Sequence, residues 1–102
     1  MRQKGINMTS KQRAYLRGLA SNMDPIAHIG KASITPEVIN AIREAIDKRE
    51  LVKVSILKNC FEDPREIAEL VAERTRSQVV AVVGKKFVLF KQAKENSKIT
   101  LP

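Results

Sequence analysis

Between Gln78 and Lys91, two runs of β-branched and aromatic residues flank the dipeptide Gly84-Lys85. Glycine at the first of two central turn positions matches a tight type II′ turn, whose twist suits the strands on either side. The segment is therefore predicted to be a β-hairpin, and the last two strands of the fold must be antiparallel. Its tip presents Lys85 and Lys86.

The preceding chain alternates helix and strand signals. Thr9 and Gln12 have capping-box spacing, and Leu16, Leu19 and Ala20 then form an apolar stripe with Lys11, Arg13 and Arg17 off it. A first helix is expected from Thr9 to near Ser21, followed by an Asp24-Pro25 turn. Residues 26–29 read as a short apolar strand. Thr35-Pro36 then starts a second helix, with Glu37 suiting the positive end of its dipole. Val38, Ala41, Ile42, Ala45 and Ile46 mark its buried face, and Arg43, Asp47 and Glu50 its wet one. Val52, Val54 and Ile56 alternate with Lys53 and Ser55 in a strand of residues 51–58, which places Lys53 on an open face of the sheet. Asp63-Pro64 repeats the helix start, with Glu66 at the capping-box position, and this third helix ends near Thr75.

The resulting order is α-β-α-β-α-β-β, an α/β domain. Crossover helices favour a parallel pairing of the first two strands. A small mixed four-stranded sheet with helices mainly on one face follows. With 102 residues the chain suits one domain: a flexible basic arm over 1–8, a folded body over 9–92 and a polar C-terminal tail over 93–102, from which Ile99 and Leu101 have the character to dock.

Charge narrows the function. Nineteen Lys and Arg against eleven Asp and Glu leave a net +8, which fits a polyanionic partner. The charge is partitioned: residues 1–34 hold six bases and one acid, 35–73 six and nine, 74–102 seven and one. If the fold brings the two ends together, one face is strongly basic. No apolar run has the length of a membrane span. One cysteine, Cys60, excludes an internal disulfide and leaves no metal-binding cluster, so a reducing, cytoplasmic home is expected.

Four separated stretches resemble the CRM domain, and more narrowly its stand-alone bacterial YhbY-type members: Lys11-Gln12-Arg13 with Leu16-Arg17-Gly18-Leu19-Ala20, His28-Ile29-Gly30-Lys31, Glu50-Leu51-Val52-Lys53-Val54, and Val83-Gly84-Lys85 with Val88-Leu89-Phe90. The resemblance spans roughly residues 8–102. It implies a fold similar to the C-terminal domain of bacterial translation initiation factor three. It also implies an RNA-binding module associated with precursors of the large ribosomal subunit; multi-domain relatives in plant organelles act in group II intron splicing. The family's Gly-x-x-Gly loop maps onto Gly30-Lys31-Ala32-Ser33, so Ser33 stands where the second glycine is expected. If that position needs a positive φ, serine is strained there by roughly 1–2 kcal/mol. In KH domains such a loop joins two helices; here it follows an extended segment.

Catalysis has little to stand on. His28 is the only histidine, Cys60 has no activating partner in the sequence, and no phosphate-binding or nucleophile-elbow motif appears. No enzyme activity, cofactor, metal or small-molecule substrate is expected. The rings are Tyr15, Phe61, Phe87 and Phe90, and the last two sit among core-like strand residues, so recognition of an RNA backbone is favoured over base stacking. A turn with free amides, a lysine and a helix N-terminus suits a phosphate. The expected RNA-facing group is Gly30, Lys31, Ala32 and Ser33 with Lys11, Arg13, Arg17, Lys85 and Lys86. The resulting expectation is a monomer that docks ribosomal RNA in the pre-50S particle. The alternative is a ribosome-associated protein-interaction adaptor whose charge only concentrates it there.

Overall fold

A computed structural model of the protein describes residues 8–93, 99, 101 and 102. Its elements are α1 (Ser10–Ala20), β1 (Ala27–Ile29), α2 (Pro36–Arg49), β2 (Leu51–Ile56), α3 (Pro64–Thr75), β3 (Gln78–Val83) and β4 (Lys86–Phe90). The four strands lie in the order β1-β2-β4-β3. β1 and β2 are parallel, and the other neighbours are antiparallel.

Each helix starts as its capping residues dictate. Thr9 and Gln12 form a reciprocal capping box, Thr35 accepts from the Val38 amide, and Asp63 accepts from the Glu66 amide. The positive φ of the hairpin turn falls on Gly84, at 59°, as a type II′ turn requires.

Strand alternation divides the core in two. Ala27, Ile29, Val52, Val54, Ile56, Phe87 and Leu89 point to one face, where α2 and α3 cover them with Ile39, Ile42, Ile46, Ile67, Ala68 and Val71. Leu51, Val88, Phe90 and Val80 point to the other, where α1 adds Leu16 and Ala20. A register shift between Val79 and Ala81 lets two residues of β3 stand opposite Val88. This bulge keeps Val79 and Val82 with the first cluster while Val80 and Ala81 join the second. Two of the three helices thus share one face, and α1 covers only one end of the other.

Two details of α2 differ from the sequence reading. The buried stripe of α2 is led by Ile39, Ile42 and Ile46, and Ala41 is exposed, so the helix is rotated toward its β-branched positions. Glu50 does not face water; it is 1% exposed at the C-cap of α2, with φ 69°. Its carboxylate accepts the backbone N–H of Ala93 at 2.7 Å and of Ile99 at 3.1 Å. The chain beyond β4 is tied down at these points, and Ile99 and Leu101 pack against the second cluster. Of the expected basic arm, residues 1–7 lie outside the described residues; Met8 packs against the second cluster.

Candidate nucleic-acid interface

The parallel β1–β2 pair and the β3–β4 hairpin bring three connections to one end of the sheet. β1 leads into the turn of residues 30–33, which is closed by the Ser33 amide donating to Gly30 O at 2.8 Å. β2 leads into residues 57–60, where the Cys60 amide donates to Leu57 O at 3.1 Å. The hairpin tip lies beside them, because the Ile56 amide donates to Lys85 O at 2.7 Å and the Leu57 amide to Ile29 O at 2.8 Å. Lys85 Nζ also reaches Cys60 O, at 3.4 Å.

Ser33 is the left-handed residue of its turn, with φ 60°, whereas Gly30 has no positive φ. Gly30 borders the 57–60 connection: a Cβ there would stand 3.4 Å from both Asn59 Oδ1 and Leu57 Cδ1, at the edge of ordinary van der Waals contact. The second position of the glycine motif is therefore the one with a conformational reason for glycine, and serine occupies it against that preference.

The turn feeds α2 directly. Pro36 brings no N–H, and the Thr35 hydroxyl takes the Val38 amide at 3.2 Å. What α2 lends the site is its dipole rather than a fan of free amides. Lys31 and Ala32 are exposed at the turn's crest, and Lys85 is exposed at the hairpin tip.

Lys86 belongs to the same end but to the open face. Cross-strand pairing sets His28 beside Ser55, Ser55 beside Lys86, and Lys86 beside Val83. These four positions form a row running across all four strands, outside the cluster that α1 covers. Lys53 stands one row closer to α1, opposite Val88. None of these positions is acidic, and His28, Val83 and Lys86 are exposed. His28 and Ser55 are not site residues in the sequence reading; only pairing partners, which alternation cannot supply, put them in line with Lys86.

The three basic residues of α1 lie farther along this face. Lys11 and Arg17 are exposed. Arg13 has a structural engagement, since one of its guanidinium nitrogens donates to Val79 O at 2.8 Å and Val80 O at 3.0 Å, at the β3 bulge. The expected group is thus two sets: Gly30–Ser33 with Lys85 and Lys86 at one sheet end, and Lys11, Arg13 and Arg17 on a helix that covers the other end.

The 57–61 connection was the larger omission. It places Lys58 and Asn59 between the two expected loops, and it ends in Phe61, which is 91% exposed. Among the described residues there is no group of His, Cys, Asp and Glu arranged to hold a metal, and no helix long and apolar enough to cross a membrane. Cys60 is buried.

The chain as a whole matches known proteins in sequence and in fold. The CRS1/YhbY (CRM) domain model matches residues 8–91. The chain is 43% identical over 95 residues to "Probable RNA-binding protein YqeI" of Bacillus subtilis, covering 93% of this chain and 99% of that one. It is 34% identical over 86 residues to "Probable RNA-binding protein MJ0652" of Methanocaldococcus jannaschii, covering 82% and 63% respectively. Among solved structures, the hypothetical protein SAV1595 from Staphylococcus aureus matches with a TM-score of 0.80 and 46% identity, covering 94% of this chain and all of that one. The chain belongs to the CRS1/YhbY (CRM) domain family.

Proposed function

We propose that the protein binds structured RNA without catalysing a reaction on it, and that its target is ribosomal RNA during assembly of the large subunit. The observation that carries this reading is the convergence of Lys31, Lys58 and Lys85 from three separate connections at one sheet end. Its support from relatives is that YqeI and MJ0652 bear names as RNA-binding proteins.

The chemistry suits a phosphate backbone. With the Ser33 amide committed to Gly30 O at 2.8 Å, the turn offers the exposed Lys31 and the Ser33 hydroxyl to an anion. The dipole of α2 favours negative charge at the same place. The acid-free row from His28 to Lys86 lets a second stretch of backbone lie along the open face toward Lys11 and Arg17. Phe87 and Phe90 are buried, so the sheet does not offer the paired rings that an RRM uses.

Fluorescence anisotropy with a labelled RNA stem-loop, compared with duplex DNA at matched salt, tests the proposal. Tighter binding to RNA is expected. If about five phosphates are neutralised, log K falls against log salt with a slope of roughly −4 to −5. Salt-independent binding, or ribosome association that survives both high salt and nuclease, favours a protein-interaction adaptor instead.

A further inference from the structure

We propose that Phe61 is a stacking platform for an unpaired base of the bound RNA, so that the site reads the single-stranded part of its target as well as its phosphates. The proposal rests on the RNA-binding reading above and adds a contact of a different kind.

Phe61 is 91% exposed, while the other two phenylalanines are 4% exposed or less. A bare ring in water forgoes the burial that normally fixes a phenylalanine in place. Its position is tied to the basic end of the sheet. The residue before it, Cys60, is buried, and the Cys60 carbonyl accepts from Lys85 Nζ at 3.4 Å. Asn59 and Leu57, on the same connection, lie against Gly30. Leu57 is itself 43% exposed. The ring therefore stands on the rim of the proposed phosphate site, one residue from the carbonyl that holds a site lysine.

The neighbouring charges select what can meet it. Glu62 is exposed, and the Asp63 carboxylate caps α3 through the Glu66 amide at 3.1 Å. Two acids immediately after the ring disfavour a phosphate there. A nucleobase has a flat apolar face and no charge, and stacks on an aromatic side chain whatever its identity. Lys58, three residues earlier on the same connection, and Lys85, held at Cys60 O, supply cations for the phosphates that flank that base. An RNA loop or bulge supplies this combination, whereas a continuous duplex keeps its bases stacked inside.

The experiment compares wild type, Phe61→Ala and Phe61→Trp on a labelled RNA hairpin with an unpaired adenosine loop and on a blunt duplex of the same stem. Phe61→Ala should weaken hairpin binding roughly 5- to 100-fold, leave duplex binding unchanged and leave the salt slope unchanged. Because the protein has no tryptophan, Phe61→Trp gives a single reporter; it should bind the hairpin at least as tightly as wild type, with its emission quenched by the loop. Equal hairpin affinity for wild type and Phe61→Ala, or an unquenched tryptophan at saturation, overturns the stacking role and leaves the phosphate site standing. Failure of the wild type to bind either RNA overturns both readings together.

Discussion

The carboxylate of Glu50, buried at the C-cap of α2, receives the backbone N–H of Ala93 at 2.7 Å. The same residue's backbone carbonyl receives the Lys91 amide at 2.8 Å. One residue thus anchors the chain as it leaves β4 and also Ile99, which packs with Leu101 against the second cluster. Glu50→Ala removes the acceptor for two amides, each of which costs about 1–3 kcal/mol if left buried and unpaired. The expected loss is about 2–4 kcal/mol by urea denaturation. Truncation after Gln92 should also destabilise the protein, and the double change should cost less than the two added, because they share partners. Additive losses would separate Glu50 from the tail.

Ser33 gives a second prediction. At φ 60° a residue with a Cβ is strained by roughly 1–2 kcal/mol, offset in part by glycine's greater freedom in the unfolded chain. Ser33→Gly should therefore stabilise the fold by about 0.5–1 kcal/mol. Ser33→Ala keeps the strain and removes only the hydroxyl. If Ser33→Ala alone weakens RNA binding, the hydroxyl touches the ligand. If neither variant alters binding, the turn acts through its backbone and Lys31.

These two residues show where sequence reading succeeds and where it stops. Caps, alternation and turn chemistry are local, and Thr9, Thr35, Asp63 and Gly84 announced their elements because each acts on amides or dihedrals a few residues away. Glu50 looked like a wet helix position because its partners are 43 and 49 residues distant. Ile39 escaped the predicted stripe because helical spacing defines a face only to within a residue, and the packing against β1 and β2 chooses the rotation. Of the candidate site, the turn and hairpin tip were legible as motifs. Their adjacency, the intervening 57–61 connection and the row from His28 to Lys86 depend on strand order, which no local pattern specifies.

Arg13 separates structural from binding charge. Its guanidinium bonds to Val79 O and Val80 O, where the β3 bulge turns carbonyls away from the ladder. Arg13→Ala should cost about 1 kcal/mol of stability, the low end for charge-assisted bonds because the side chain is exposed. Arg17 is exposed, and Arg17→Ala should stay within about 0.5 kcal/mol of wild type. RNA affinity measured on the same variants should fall more for Arg17→Ala than for Arg13→Ala if α1 lies along the RNA.

Lys31→Glu combined with Lys85→Glu is the sharpest test of the sheet-end site. Both side chains are exposed, and the Lys85 bond to Cys60 O is long at 3.4 Å, so the melting temperature should hardly move. Each removed phosphate contact lowers the salt slope by about one unit, so the double variant should bind with a slope shallower by about two. At 0.1 M salt its affinity should fall by at least roughly tenfold. The matching reversal on α1, Lys11→Glu with Arg17→Glu, alters the charge equally but lies away from the turn and the hairpin tip. A smaller loss there than at the sheet end locates the phosphates at the turn. Equal losses would mean that net charge, rather than the geometry around Ser33 and Lys85, governs the binding.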